Sequence, residues 1–150
     1  MKKIFLFSSI LLLKISVAQN TDNPKKSAIN KDMIDKQWKF CAIVENNKRE
    51  TIDTTYKAMI KFDNENTYFG FGGCNSFYGA YWLKNENELN MKYEETSSST
   101  YCGEEMRNKI EKKFTDALSK NKKFSITQDT LNIFFGENGK MVFFNGSKKK

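Results

Sequence analysis

The residues able to do chemistry in this sequence are few, and the absences exclude more than the residues present suggest. No histidine occurs among 150 residues, which removes His-based catalytic triads, HExxH zinc sites and imidazole pH switches. Two adjacent carboxylate pairs, Glu94-Glu95 and Glu104-Glu105, are the candidates for the acid and base of glycoside hydrolysis. Neighbouring residues on a strand point to opposite faces, however, and Glu104-Glu105 opens a helical pattern whose dipole favours acids at its start. The cysteines, Cys41, Cys74 and Cys102, are too scattered for a metal site. Without a Cys-x-x-Cys pair they do not describe a thiol–disulfide enzyme either. No catalytic residue, metal or cofactor is expected.

The compartment follows from the first eighteen residues. Met1-Lys2-Lys3 is a positive start, Ile4 to Ile15 is mostly apolar but interrupted by Lys14, and Ser16-Val17-Ala18 ends in small residues before Gln19. This is the pattern of an export leader cleaved between Ala18 and Gln19. The apolar run is shorter than the roughly 20 residues that span a bilayer, and no cysteine precedes Cys41 to carry a lipid. The mature chain is therefore expected in a periplasm or outside the cell, with no stable membrane anchor. The charge balance of 25 Lys+Arg against 18 Asp+Glu becomes 22 against 18 once the leader, with three lysines and no acid, is removed. Lys148–Lys150 form a basic tail, so residues 37–145 lack the dense basic face that nucleic-acid binding needs. A monomer without a nucleic-acid partner is expected.

The elements that must position these residues are mostly strands. Gln19 to Lys36 is polar, contains the only proline, Pro24, and reads as a tether in which Met33 and Ile34 can dock. From Gln37 to Asn145 the dominant period is two. Trp38, Phe40 and Ala42 alternate with Lys39, Cys41 and Ile43; Ile60 and Phe62 follow; Thr67–Phe71 and Phe77–Leu83 are rich in aromatics, as strands prefer. Leu89, Met91 and Tyr93 share a face, and Phe124–Ile126, Leu131–Phe135 and Met141–Phe143 close the chain, the last two split by an Asn138-Gly139 turn signal. One segment differs: Met106, Ile110, Phe114, Ala117 and Leu118 recur at helical spacing. About eight strands in short hairpins with one helix give an α+β domain, an antiparallel and partly closed β-barrel whose open edge or end the helix covers.

The densest motif is Gly72-Gly73-Cys74-Asn75-Ser76-Phe77-Tyr78-Gly79-Ala80-Tyr81. Paired glycines permit positive φ, Asn75 can bond its own backbone in a turn, and Gly79 inside a strand marks a bulge or the close approach of another group. Asn75 can also be read as a ligand contact, but holding the loop is the favoured role. In an oxidising compartment three cysteines leave three single bridges open. The sequence here resembles the META domain, a family of secreted or membrane-tethered proteins that includes HslJ. Its Gly-Cys-Asn-x-Phe-x-Gly core falls on Gly73, Cys74, Asn75, Phe77 and Gly79. Its second segment falls on Ser98 to Cys102, with Ser98 in place of the usual Thr, and Thr100 and Tyr101 in place of bulky apolar residues. Trp38 matches the family's opening tryptophan. The resemblance spans about Gln37 to Phe144 and implies a Cys74–Cys102 disulfide.

Two functions are consistent with these observations. The resemblance implies a non-enzymatic envelope protein that acts through an unknown protein partner in stress tolerance or envelope maintenance. The alternative is a carrier or sensor of a small hydrophobic molecule or lipid in the barrel mouth, lined by Phe69, Phe71, Tyr81 and Trp82. The carrier requires inward apolar side chains around an empty volume of roughly 300 Å3 or more. The contact protein requires a filled barrel and an exposed apolar patch of several hundred Å2. Cleavage after Ala18 predicts that exported protein has the intact mass of residues 19–150; a full-length mass would refute it.

Overall fold

The computed structural model describes residues 30–94 and 102–147. The leader with its Ala18–Gln19 junction, most of the tether, Ser98 and the Lys148–Lys150 tail lie outside them. The strands are β1 (Gln37–Glu45), β2 (Lys48–Thr51), β3 (Met59–Phe62), β4 (Thr67–Phe71), β5 (Ser76–Leu83), β6 (Leu89–Glu94), β7 (Asn121–Thr127), β8 (Thr130–Phe135) and β9 (Gly139–Asn145), with helix α1 (Glu105–Ser119) before β7. All strand pairs are antiparallel, in the order β6-β5-β4-β3-β1-β9-β8-β7. The two ends of this path meet where Glu88 bridges Lys123 and the Phe124 N–H donates to the Asn87 carbonyl at 2.9 Å. Eight strands thus form a nearly closed antiparallel barrel with a single helix, the expected α+β class. The ninth strand, β2, lies off the path and pairs only with β1.

β2 has no apolar period to announce it: Lys48-Arg49-Glu50-Thr51 is polar and every residue is exposed. Its signal was the turn: Asn46 and Asn47 both have positive φ, 49° and 62°, and link Glu45 directly to Lys48. That is the two-residue hairpin geometry in which asparagine is favoured. The Asn138-Gly139 signal, by contrast, misplaces the last turn. Gly139 already pairs with Phe135, and the left-handed residue is Gly136, at φ 57°.

The inner wall follows the period of two except at one place. β1 pairs Phe40 with Phe143 and then Ala42 with Val142, so Cys41 is an extra residue in the ladder. A bulge of this kind shifts the alternation. Ile43 joins the main core with Trp38 and Phe40, whereas Ala42 turns outward into a small cluster with Cys41 and Val142. Cys41 is buried, donates its thiol to the Val142 carbonyl at 3.1 Å, and has its pKa pushed up by that burial. The core also extends beyond the expected domain edge. Met33 is fully buried and accepts the Trp38 indole N–H at 2.8 Å, while Ile34 bridges Phe62. Packing therefore begins upstream of Gln37, and it continues past Asn145 to Ser147, whose hydroxyl accepts from the Gln37 N–H.

Helix α1 buries Ile110, Phe114, Ala117 and Leu118; Met106, expected on the same face, is exposed. The buried apolar residues of the helix thus begin at Ile110. Phe114 is the centre of the packing: its ring lies 4.8 Å from Phe40, 5.3 Å from Phe77 and 5.7 Å from Phe143. Two tyrosines complete the inner wall with their hydroxyls satisfied, Tyr81 donating to the Asp63 carbonyl at 2.6 Å and Tyr68 to the Lys92 carbonyl at 3.3 Å. Burial pushes Tyr81 up to about 12 and raises Tyr68 further. Removing the ring at the centre should be costly: Phe114→Ala is expected to lower stability by about 3–5 kcal/mol, read as a lower urea midpoint. A loss below about 1 kcal/mol would place the helix outside the folding core.

Candidate functional site

The glycine-rich motif forms the connection from β4 to β5. The Gly72 N–H donates to the Asn75 carbonyl at 2.9 Å and closes the turn. Gly73 has φ of 105°, which a side chain would strain. Gly72 is small for another reason, since a Cβ there would lie 2.6 Å from Cγ of Glu111. The loop therefore lies directly on helix α1. Glu111 accepts from the Asn75 N–H at 2.5 Å and from Asn75 Nδ2 at 2.8 Å. One turn earlier, Arg107 donates Nη1 to the Gly73 carbonyl at 2.9 Å and Nε to Glu104 at 2.8 Å. Its guanidinium lies 5.2 Å from the centre of the Tyr56 ring, a cation–π distance.

The disulfide joins the same partners. Cys74 is bonded to Cys102, just ahead of the helix, with Cα atoms 5.8 Å apart. The Cys102 N–H in turn faces Asn108 Oδ1 at 3.4 Å. One covalent bond, a two-point carboxylate contact and an arginine thus fix one loop to one helix end. The Asn75 side chain donates to Glu111 and lies 3.4 Å from Cys74 Sγ, contacts that hold the loop on the helix. Glu111 and Arg107 gave no local signal, because on an amphipathic helix they read as solvated charges.

A family model for the META domain matches residues 31–148. The chain belongs to the META domain family. Among solved structures, this META domain is similar in fold to a protein of the DUF4847 family from Bacteroides vulgatus, with a TM-score of 0.59 and 14% identity over 78% of this chain and 96% of that one. It is also similar to a protein from Burkholderia xenovorans solved by NMR, with a TM-score of 0.57 and 14% identity over 83% of this chain and 97% of that one. At such identity the likeness is one of fold alone. No curated protein matches.

Phe77 and Gly79 of the motif belong to the inner wall of this META domain. Phe77 is buried against Tyr68, Tyr93 and Phe114. Gly79 is not a bulge, since β5 keeps its register on both sides. It is a close approach: a Cβ there would lie 2.0 Å from the Lys92 carbonyl oxygen and 2.8 Å from the Tyr68 hydroxyl. The four aromatics expected to line a pocket do not converge. Tyr81 faces inward and is buried, whereas Phe69 and Trp82 face outward at 46% and 42% exposure and Phe71 is half-buried on the outer wall. Adjacent residues 81 and 82 cannot share a face of one strand. The outer wall instead gathers Phe69 opposite Tyr78, itself 52% exposed, in a row flanked by Lys61 and Glu94. If the clasp is what seats the loop, Glu111→Ala should cost about 1–3 kcal/mol by stranding the Asn75 donors. A denaturation midpoint unchanged from the native chain would assign that seating to the disulfide alone.

Proposed function

We propose that this META domain is an exported, non-enzymatic module of the cell envelope that binds a protein partner through the outer wall of β3, β4 and β5, in envelope maintenance or stress tolerance. The observation that carries this reading is the outward display of Phe69, Tyr78 and Trp82 beside an inner wall of packed rings. Exposed Phe, Tyr and Trp framed by Lys61, Thr67 and Glu94 have the composition of an interface centre with a polar rim. Export is supported by the leader-like first eighteen residues and by the Cys74–Cys102 bond, which suits an oxidising compartment. Among the described residues no helix is long and apolar enough to cross a membrane.

A ligand carried in the barrel mouth has less support, because Phe40, Phe77, Phe114 and Phe143 occupy the inner positions in mutual contact. Carboxylate catalysis has less still, since Glu104 is held by Arg107 and Glu94 by Lys92. Crosslinking in the native envelope tests the contact reading. The native chain should give a discrete product that Phe69→Ala/Tyr78→Ala/Trp82→Ala loses, while each of these exposed substitutions shifts stability by only about 0.5 kcal/mol. A product that persists in the triple variant, or none from the native chain, would overturn it.

A further inference from the structure

The change of partner along β1 leaves a groove on the outer wall, and we propose that this groove binds a small amphipathic anion, a carboxylate carried on an alkyl chain. β1 pairs with β3 through Gln37–Lys39 and with β2 from Ala42 onward. Between these stretches the Phe40 N–H donates to the Ala58 carbonyl and the Cys41 carbonyl accepts from the Ile52 N–H, both at 2.9 Å. The backbone there is satisfied, and the 3-10 turn Thr54–Tyr56 leads from β2 to β3. Beside it is a hollow of about 520 Å3 lined by Gln37, Lys39, Thr54, Lys57, Ala58 and Met59. That volume falls within the range of small-molecule sites, roughly 300–1,000 Å3.

Its chemistry is one-sided. Its lining holds two cationic residues, Lys39 and Lys57, and two neutral hydrogen-bonding ones, Gln37 and Thr54, with no carboxylate. Among the described residues neither lysine is in an ion pair. The adjacent acid, Asp53, is engaged elsewhere, accepting from the Thr55 N–H at 2.8 Å as the cap of the turn. Lys39 is also held in place: a Cβ on Gly146 would lie 2.5 Å from Lys39 Cε, so the aliphatic stem rests on that glycine. Met59 supplies apolar surface, and the ladder continues it, with Phe71 opposite Met59 and Phe144 opposite Lys39.

An inorganic anion would leave that apolar surface uncovered, and a neutral apolar molecule would desolvate two unpaired ammonium groups. A carboxylate between Lys39 and Lys57, with its alkyl body along Met59, satisfies both demands through charge-assisted hydrogen bonds and burial. The site goes beyond the protein-contact reading and does not depend on it, because the groove and the Phe69–Tyr78 pair use different side chains.

Titration of isotope-labelled exported protein with decanoate below its micellar range, followed by NMR, tests the site, with decanol and acetate as controls. Saturable shifts are expected at the amides of Lys39, Thr54, Lys57 and Met59, with decanoate bound about tenfold or more tightly than either control. Lys39→Glu/Lys57→Glu should weaken decanoate by about tenfold or more while leaving the unfolding midpoint in place. Phe69→Ala/Tyr78→Ala/Trp82→Ala should leave decanoate binding intact, so that failure of the contact reading and failure of the groove are separable. Equal binding of decanoate and decanol, shifts spread over the Trp82 wall, or undiminished affinity in the charge-reversed variant would each overturn the site.

Discussion

Everything in this barrel is arranged around the Phe114 ring. Its contacts with Phe40, Phe77 and Phe143 link the helix to β1, β5 and β9 at once. β1 and β9 are ladder neighbours, but β5 is separated from β1 by β4 and β3 in the path β6-β5-β4-β3-β1-β9-β8-β7, so ladder hydrogen bonds alone would not bring all three to a common centre. A nearly closed sheet of eight strands leaves an interior that side chains must fill. Here a single helix supplies the ring at the middle, and Ile110, Ala117 and Leu118 extend the contact along its length. The apolar burial is what makes closure favourable, with only a short backbone seam at Glu88 and Lys123 joining the ends.

The motif that identifies the family is the counterpart of that packing at the helix start. Phe114 fixes the body of α1, but its buried apolar residues begin only at Ile110, and Met106 in the first turn is exposed. The Gly72–Asn75 loop, Glu111, Arg107 and the Cys74–Cys102 bond hold that end by polar and covalent means. The residue types follow directly: glycine where the loop touches the helix, asparagine to present two donors to one carboxylate, and cysteine where the chain returns from β6 to the helix. The groups of this cluster are engaged with one another across the loop and the helix.

With the inner wall given to rings in contact, the chemistry on which the proposed partner and anion would draw is that of the outer wall. It is of two kinds there: aromatic at Phe69 and Tyr78, cationic and concave between Lys39 and Lys57. The second exists only because β1 exchanges β3 for β2 partway along its length.

The sequence by itself determined the class of fold and the face of most strand residues. Alternation is local: once Thr67–Phe71 and Ser76–Leu83 are extended, covalent geometry sends Tyr68, Phe77 and Tyr81 one way and Phe69, Tyr78 and Trp82 the other. The same alternation already places Tyr81 and Trp82 on opposite faces of one strand. Helical spacing likewise located α1, and the glycine, cysteine and asparagine of the loop announced a constrained turn. Only the tertiary structure decided what those faces meet. The bulge at Cys41 that exchanges Ala42 for Ile43, the charged strand β2, the capture of Asn75 by Glu111 and the groove beside Lys39 each require segments distant in sequence to lie together. A period records which residues share a face, whereas which segment lies against that face is set by the packing of the whole barrel.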